Sequence, residues 1–332
     1  MSFEAYRNLL FSVAYRILGS AADAEDAVQD TWVKWSAVKW SAVKGSAVKG
    51  SAVKGSATDH SRVAEPKAYL VRIVTNVALD RLRSARARRE TYIGPWLPEP
   101  VLTSDHPPER SDMSGSDTSG NDAVVADSVS TGLLMLLESL SPLERAVFVL
   151  REAFGFSYRE IAEAVERSEE TVRQAAHRAR GHVRDGRPRF PATRARHREV
   201  AERFFAAAGG GDINALMELL APDVTLWTDG GGRVRQAMRP VTGADRVAAW
   251  LAGVGSRAYE GVEPADMSVR LAELNGTTGL IFHGAGRVLA TLTLDLGPDG
   301  RIVALHNMAN PEKLRSVSAG TIHVLPTDTV RP

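Results

Sequence analysis

Residues Ser141–Val183 read SPLERAVFVLREAFGFSYREIAEAVERSEETVRQAAHRARGHV, and two helix-start signatures stand inside this stretch. Ser141-Pro142-Leu143-Glu144 sets a serine before a first-turn proline, with a glutamate three residues on; Ser157-Tyr158-Arg159-Glu160 repeats the serine and glutamate. In each case the hydroxyl can accept a backbone N–H of the first turn while the glutamate reaches back to the serine N–H. Gly155 lies between the two starts. Ile161, Ala162 and Val165 then supply an inward face, and Ser168 opens a further helix dense in Arg, Gln and His. Two short helices joined by a tight turn have helix-turn-helix form. Arg and Gln near the start of the second helix can present paired donors to base edges, while later Arg residues meet phosphates. A plain helical hairpin is the alternative, and spacing and charge together favour DNA.

The charge pattern around this stretch agrees. Net charge is only +1 over 332 residues, yet the charges are segregated. Arg81, Arg83, Arg86, Arg88 and Arg89 form one basic cluster. A second runs through Arg173, Arg178, Arg180, Arg184, Arg187, Arg189, Arg194, Arg196 and Arg198. The segment between them, Ser104–Ser130, is acidic and rich in Ser, Gly and Asp. Two basic blocks about an acidic linker suggest contact with a polyanion at two places; solvated helix faces are the bland alternative. The chain is long enough for two or three domains. It carries no cysteine, which excludes disulfides and thiolate metal sites. No apolar run approaches the roughly 18 residues that a membrane span needs, and the first residues lack the pattern of a secretory signal. A cytoplasmic location and no membrane contact are expected.

Toward the N-terminus, Phe3, Tyr6, Leu10, Val13 and Ile17 recur at helical spacing and Gly19 reads as a helix stop. Ser20 opens a second helix that turns Ala24, Ala27, Val28 and Thr31 inward and leaves an acidic face outward. The pentapeptide VKxSA then repeats without a break from Val33 to Ala57. A period of five matches neither 3.6 nor 2, so it holds no constant face, and the tract reads as a lengthened loop, with structure around Trp35 and Trp40 where helix 2 can continue through the first copy. Pro66 begins a long helix with Leu70, Ile73, Val74, Val77 and Leu82 buried and a basic C-terminal half. YIGPWLPEP, Tyr92–Pro100, leaves it in a proline-broken turn, and the stretch from Leu102 to about Asp127 reads as disordered.

Toward the C-terminus the pattern changes. Two helices, through Val200–Ala208 and Asp212–Leu220, precede segments with hairpin signals at Asn275-Gly276 and Pro298-Asp299-Gly300. Helices followed by a strand meander argue for an α+β domain in which a curved sheet wraps a helix layer.

Three separated motifs carry a resemblance: AEDAVQDTWVKW, PKAYLVRIVTNVALDRLRS and LSPLERAVFVLREAFGFSYREIAEAVERSEETVRQAAHRARGHV. Together they resemble regions 2 and 4 of an extracytoplasmic-function RNA polymerase sigma factor. YIGPWLPEP, DGGGR and NPEKL are similar to the subgroup with a SnoaL-like C-terminal extension. The resemblance implies two all-α sigma domains, a region 2 helical bundle and a region 4 helix-turn-helix, followed by an α+β SnoaL-like cone domain. Placed on this chain, region 2 spans 1–91 with the repeat at 33–57, a linker 92–130, region 4 131–190, the SnoaL-like domain 192–315 and a tail 316–332. It implies that Asp26, Gln29, Asp30 and Trp32 dock on the clamp of the largest subunit of core RNA polymerase. Tyr69, Asn76, Asp80, Arg81 and Arg83 become candidates for the minus-ten element of promoter DNA. Holding an unstacked base there needs a polar pocket, a stacking surface and cations; Asn76 and Asp80 also read as routine exposed helix residues. Ser168, Glu169, Thr171, Arg173, Gln174, His177 and Arg178 match the helix that reads the minus-thirty-five element. Asp229, Gly230, Gly231, Gly232 and Arg233, with Asn310, Pro311, Glu312, Lys313 and Leu314, become regulatory interdomain contacts. No cofactor, metal or enzymatic activity is implied.

Two rival classes remain open: a ligand-responsive DNA-binding regulator that uses region 4 alone, and a SnoaL-type enzyme fused to a DNA-binding module. For the latter, Asp229, His283, His306, Trp227 and Arg233 would have to converge on a pocket to do acid–base work. The cone could also hold a small molecule that sets the interdomain contact. A simple regulator has no use for a core-docking or strand-melting helix, so the region 2 match separates the classes.

Overall fold

The computed structural model describes residues 3–46, 66–104, 130–186 and 193–323. The chain divides into two compact units, one built from Met1–Arg86 and Leu140–Gly181, the other from Ala87–Ser139 and His182–His323.

The first unit is helical. α1 (Arg7–Leu18) ends where Gly19 takes a left-handed conformation (φ +68°) that closes the helix through its N–H to the Tyr15 carbonyl. α2 (Ala21–Ser46) starts with Ser20 Oγ accepting the Asp23 N–H at 3.1 Å. Ala24, Ala27, Val28 and Thr31 are buried, as the spacing predicts. α2 also runs through the first two copies of the VKxSA tract and into the third. A period of five fixes no apolar face, yet it contains Ala and Lys, good helix formers, and the glycines begin only at Gly45. The tract beyond Ser46 lies outside the described residues. α3 (Pro66–Glu90) buries Leu70, Val74, Val77 and Leu82.

In the same unit, α5 (Pro142–Phe148) and α6 (Tyr158–Val165) both begin with complete capping boxes, and a π-helical segment, Val149–Ala153, follows α5. α7 (Glu169–Gly186) completes the helix-turn-helix, with Glu166 at φ +55° in the turn. Arg145 Nε donates to the Arg16 carbonyl at 3.2 Å, and the Arg16 guanidinium lies 5.1 Å from the Phe154 ring centre. Burial pulls both guanidinium groups down to about 9, so they remain charged at neutral pH.

The second unit is α+β. α4 (Thr131–Glu138) belongs to it, as do α8 (Arg194–Gly210), α9 (Ile213–Leu219), α10 (Ala244–Gly255) and the short α11 (Arg315–Ser318). Seven strands form one sheet: β1 (Leu102–Ser104), β2 (Leu220–Asp229), β3 (Val241–Thr242), β4 (Ser268–Leu274), β5 (Thr277–Gly284), β6 (Arg287–Leu296) and β7 (Ile302–Met308). Their order is β1-β4-β5-β6-β7-β2-β3, and only β2–β7 is parallel. Asn275 and Gly276, both at positive φ, turn β4 into β5 as the sequence signal requires. One face packs Leu226, Leu292, Leu294 and Leu305 against Val200, Phe204, Leu216 and Val247 of the helices. The other face packs Leu274, Ile281 and Met308 beneath Leu97, Leu102, Leu314 and Val317.

Two expectations are corrected here. The stretch read as disordered from Leu102 begins with a strand, because Leu102 and Ser104 pair with Leu274 and Glu273 at the edge of β4. The linker drawn over 92–130 and the tail drawn over 316–332 are thus held on the sheet at their near ends: His323 N–H donates to the Leu102 carbonyl at 2.8 Å. The rest of both, from 105–129 and from 324 on, lies outside the described residues.

Candidate functional site

On α2 the buried stripe leaves Asp26, Gln29 and Asp30 exposed beside Trp32, which is 52% exposed. Its neighbour Val33 is exposed as well, so a small apolar patch adjoins the acidic face. Both carboxylates are engaged: Arg81 of α3 donates to Asp30 Oδ2 at 2.6 Å and to Asp26 Oδ2 at 3.3 Å. Burial works against the Arg81 charge, but the hydrogen bonds and charges of Asp30 and Asp26 outweigh it and hold the group above its ordinary value. Residues assigned separately from sequence, two to a protein partner and one to DNA, therefore form one ion-pair cluster. Along α3, Asp80 and Arg83 pair with each other at 2.8 Å, Asn76 is half-buried, and the Tyr69 ring meets buried Trp35 with centres 6.0 Å apart.

On α7 the division is clean. Val172, Ala175, Ala176 and Ala179 are buried, while Arg173, Gln174, His177 and Arg178 form one exposed stripe. Ser168 caps the helix by accepting the Thr171 N–H at 3.2 Å, so Ser168 and Thr171 set its start. Glu169 holds Arg173 at 2.5 Å. Arg178 Nε donates to Glu144 Oε1 at 2.6 Å, tying the recognition helix to the capping box of α5. Burial pushes the Glu144 carboxyl up, but hydrogen bonds from Arg178 and Ser141 outweigh it and hold the group below the ordinary carboxylate range. Gln174 and His177 make no side-chain hydrogen bond among the described residues, which leaves their polar groups facing solvent.

The two C-terminal motifs meet on the second unit. Asp229, at the end of β2, is fully buried and accepts four hydrogen bonds. These come from Tyr92 Oη at 2.6 Å, the Leu97 N–H at 2.9 Å, the Gly231 N–H at 3.0 Å and Lys313 Nζ at 2.7 Å. Lys313 Nζ also donates to the Leu97 carbonyl at 2.7 Å and lies over the Tyr92 and Trp96 rings, 4.6 and 4.1 Å from their centres. Asn310 Nδ2 donates to Tyr92 Oη at 2.8 Å. Burial and the Asp229 carboxylate push the Tyr92 phenol far above its ordinary value, so it stays a donor. Gly231 sits at φ +58°, and a Cβ there would strike Asn310 and Tyr92; one on Gly232 would strike Ile93. The glycines thus let the turn close on the Tyr92–Leu97 segment. Arg233 and Glu312 pair at 3.2 Å on the exposed rim, Pro311 is exposed and Leu314 buried. DGGGR and NPEKL therefore grip the chain that follows α3. Tyr92, Trp96 and Leu97, absent from the sequence-based set, complete this clamp; the proline-broken YIGPWLPEP was their only signal.

The residues that an enzyme would need do not converge. The sheet's cavity, of about 310 Å³, lies on the helix side and is lined by Phe204, Trp250, Phe282 and Asn307 among others. Trp227, Asp229, His283 and His306 stand at the alternate strand positions and face the other way. Asp229 is taken up by the clamp, His306 Nε2 lies 2.9 Å from Asp295, His283 is 3.4 Å from Arg270, and Arg233 is on the rim. Among the described residues no group of three or more His, Asp or Glu could hold a metal, and no helix is long and apolar enough to cross a membrane.

Comparison with known proteins agrees with this layout. Residues 2–48 match the family model Sigma-70 region 2, and residues 131–183 match Sigma-70, region 4. The ECF RNA polymerase sigma factor SigJ of Mycobacterium tuberculosis strain H37Rv is 36% identical over 323 residues, covering 94% of this chain and 91% of that protein. The probable ECF RNA polymerase sigma factor SigI of the same strain is 30% identical over 249 residues, covering 74% of this chain and 73% of that protein. The crystal structure of the Mycobacterium tuberculosis extracytoplasmic function sigma factor SigJ superposes with a TM-score of 0.65 at 32% identity, over 95% of this chain and 97% of that one. The chain belongs to the extracytoplasmic-function family of RNA polymerase sigma factors.

Proposed function

We propose that this chain binds core RNA polymerase in the cytoplasm and carries it to two-part promoters, and that its SnoaL-like domain sets the output. Asp26, Gln29, Asp30 and Trp32 offer an acidic, aromatic face to a basic partner, the clamp of the largest subunit. A partner that takes over the two carboxylates frees Arg81 for DNA, so docking and strand capture become linked steps. Tyr69, Asn76, Asp80 and Arg83 then complete the minus-ten surface. Gln174 and His177, flanked by Arg173, read the minus-thirty-five element, with Ser168, Glu169 and Thr171 fixing the helix start and Arg178 bracing it. The grip of Asp229–Arg233 and Asn310–Leu314 on Tyr92–Leu97 is the regulated contact, and a small molecule in the cone sets its strength.

The observation that carries this reading is the exposed Trp32 among Asp26, Gln29 and Asp30, a face that a regulator acting through region 4 alone does not need. Run-off transcription with core polymerase on fragmented genomic DNA tests it. The reading predicts transcripts from a shared two-part promoter, lost in the Asp26→Ala/Asp30→Ala variant and reduced in Gln174→Ala. Transcripts indifferent to Asp26 and Asp30, or a chain that fails to bind core polymerase, would overturn it.

A further inference from the structure

The cavity between the sheet and helices α8 and α10 measures about 310 Å³, near the lower end of small-molecule pockets, which run from roughly 300 to 1,000 Å³. Its wall is apolar and aromatic, with Phe204, Trp250, Met267 and Phe282 prominent, and no lining residue carries a charged side chain. An ion entering such a wall would lose its hydration with nothing to replace it, so a charged ligand is excluded.

Apart from the Trp250 indole, the polar side chains of the wall are Tyr259 and Asn307, and both are bound to the same side chain behind it. Gln236 Nε2 donates to Tyr259 Oη at 2.6 Å, and Asn307 Nδ2 donates to Gln236 Oε1 at 3.3 Å. Since the Tyr259 oxygen is accepting, its own hydrogen is left to donate, and no acceptor for it is present among the described residues. Burial raises this phenol above its ordinary value, so the hydrogen stays in place. Behind the relay, Gln236 packs on Gly230: a Cβ on that glycine would come within 2.9 Å of Gln236 Cγ. Gly230 opens the turn whose next residue, Gly231, closes on Tyr92 and Asn310.

We propose that this cavity is a binding site for a neutral, largely apolar ring compound with one oxygen acceptor, held by the Tyr259 hydroxyl, and that Gln236 couples its occupancy to the glycine turn that grips Tyr92. The wall sets the ring character, the absence of charge sets neutrality, and the spare phenol hydrogen sets the acceptor. The inference deepens the ligand element of the proposed function and rests on it only for the consequence in transcription. A binding assay without polymerase or promoter therefore fails or succeeds separately from the promoter test.

The full-length protein would be titrated with 6-propionyl-2-(dimethylamino)naphthalene, a neutral naphthalene ketone whose emission shifts to the blue in apolar surroundings. The anionic dye 1-anilinonaphthalene-8-sulfonate serves as the charged control. Saturable one-site binding of the ketone, at least about tenfold tighter than the sulfonate, is expected. Tyr259→Phe, which removes only the donor, should weaken binding about tenfold, the scale of one hydrogen bond. Ala208→Trp should abolish it: Ala208 lines the cavity from an exposed position on α8, so the fold tolerates the plug, and circular dichroism checks that it does. Coupling is reciprocal, so loosening the clamp with Tyr92→Phe must change ketone affinity, by about threefold or more. No saturable binding, sulfonate binding as tight as ketone, or indifference to both Tyr259→Phe and Ala208→Trp overturns the site. Unchanged affinity in Tyr92→Phe overturns the coupling.

Discussion

Lys313 and Asp229 form a buried ion pair at 2.7 Å, with Asp229 fully buried and Lys313 8% exposed. Breaking such a pair on one side strands the other charge, which costs about 3–5 kcal/mol, whereas neutralising both sides is far milder. Lys313→Met is therefore expected to destabilise the second unit by about that amount, and Lys313→Met/Asp229→Asn to recover a large part of it. Urea unfolding of the single and double variants decides; a double variant no better than the single would show that the partner charge is not what is lost. Glu144 gives a pH-dependent counterpart in region 4. Its carboxyl is held below its ordinary value in the folded state, so its contribution is complete above the ordinary carboxylate value near about 4.3 and is lost as pH falls through the lowered one. Glu144→Gln is expected to lower the thermal midpoint at pH 7 and to flatten its acid dependence below about pH 4.5. The capping role of Glu144 was legible in the sequence because its partner Ser141 is three residues away. The partner of Asp229 was not, because Tyr92 lies 137 residues away and no periodicity links them.

Among the elements, α7 carries Gln174, proposed to read bases, and Arg178, which braces the helix on Glu144. Gln174→Ala is expected to weaken binding to the minus-thirty-five element by about 1–3 kcal/mol and relax base preference at one position. Arg178→Ala removes the tie to Glu144 and is expected to lower the stability of the helix-turn-helix as well. Gel-shift titrations over single-base variants of the promoter, paired with thermal melts, distinguish the two. Exposure alone could not have done so, since both side chains sit on the same stripe and both were assigned to DNA from sequence. The strands show the complementary limit. The sequence offered Trp227, Asp229, His283 and His306 as possible pocket residues but could not show whether they converge, and on β2, β5 and β7 they lie away from the cavity. Along α2, the VKxSA tract makes a different prediction. Loop closure costs only about 0.6 kcal/mol per doubling of length, so deleting the glycine-bearing copies Val43–Ala57 should leave the unfolding free energy within about 1 kcal/mol. Promoter melting is the sensitive readout: a gain in open-complex yield, read by permanganate footprinting, would place the cost of the repeat there.

For the whole molecule, the chain crosses between its two compact units more than once, since Ala87–Ser139 and His182–His323 flank Leu140–Gly181. Each unit has its own core, so calorimetry is expected to resolve two transitions, and Lys313→Met to shift one of them. A single transition that moves as a whole would show the units to be one cooperative body. In the helical unit the caps and apolar stripes were readable because they are local, but the VKxSA tract was not: read as a loop, it carries α2 on to Ser46. The sheet was readable as a class, through its hairpin turns, but not in its order, because β1 is supplied by residues read as linker and pairs with β4 more than 160 positions later.

Laying that linker on the sheet also fixes a length. Residues 92–104, about 13 in all, would reach roughly 45 Å if drawn out straight. That is close to the rise of about 13 base-pair steps of duplex DNA at about 3.4 Å each. Tyr92 and Leu97 are gripped by Asp229, Asn310 and Lys313, and Leu102 and Ser104 are paired with β4. If the proposed regulated contact opened and β1 left the sheet, these residues would lengthen the tether between the segments matched to region 2 and region 4. On the proposed function the grip would then act as a ruler stop, and opening it would change how far apart two promoter elements can lie and still be held by one chain.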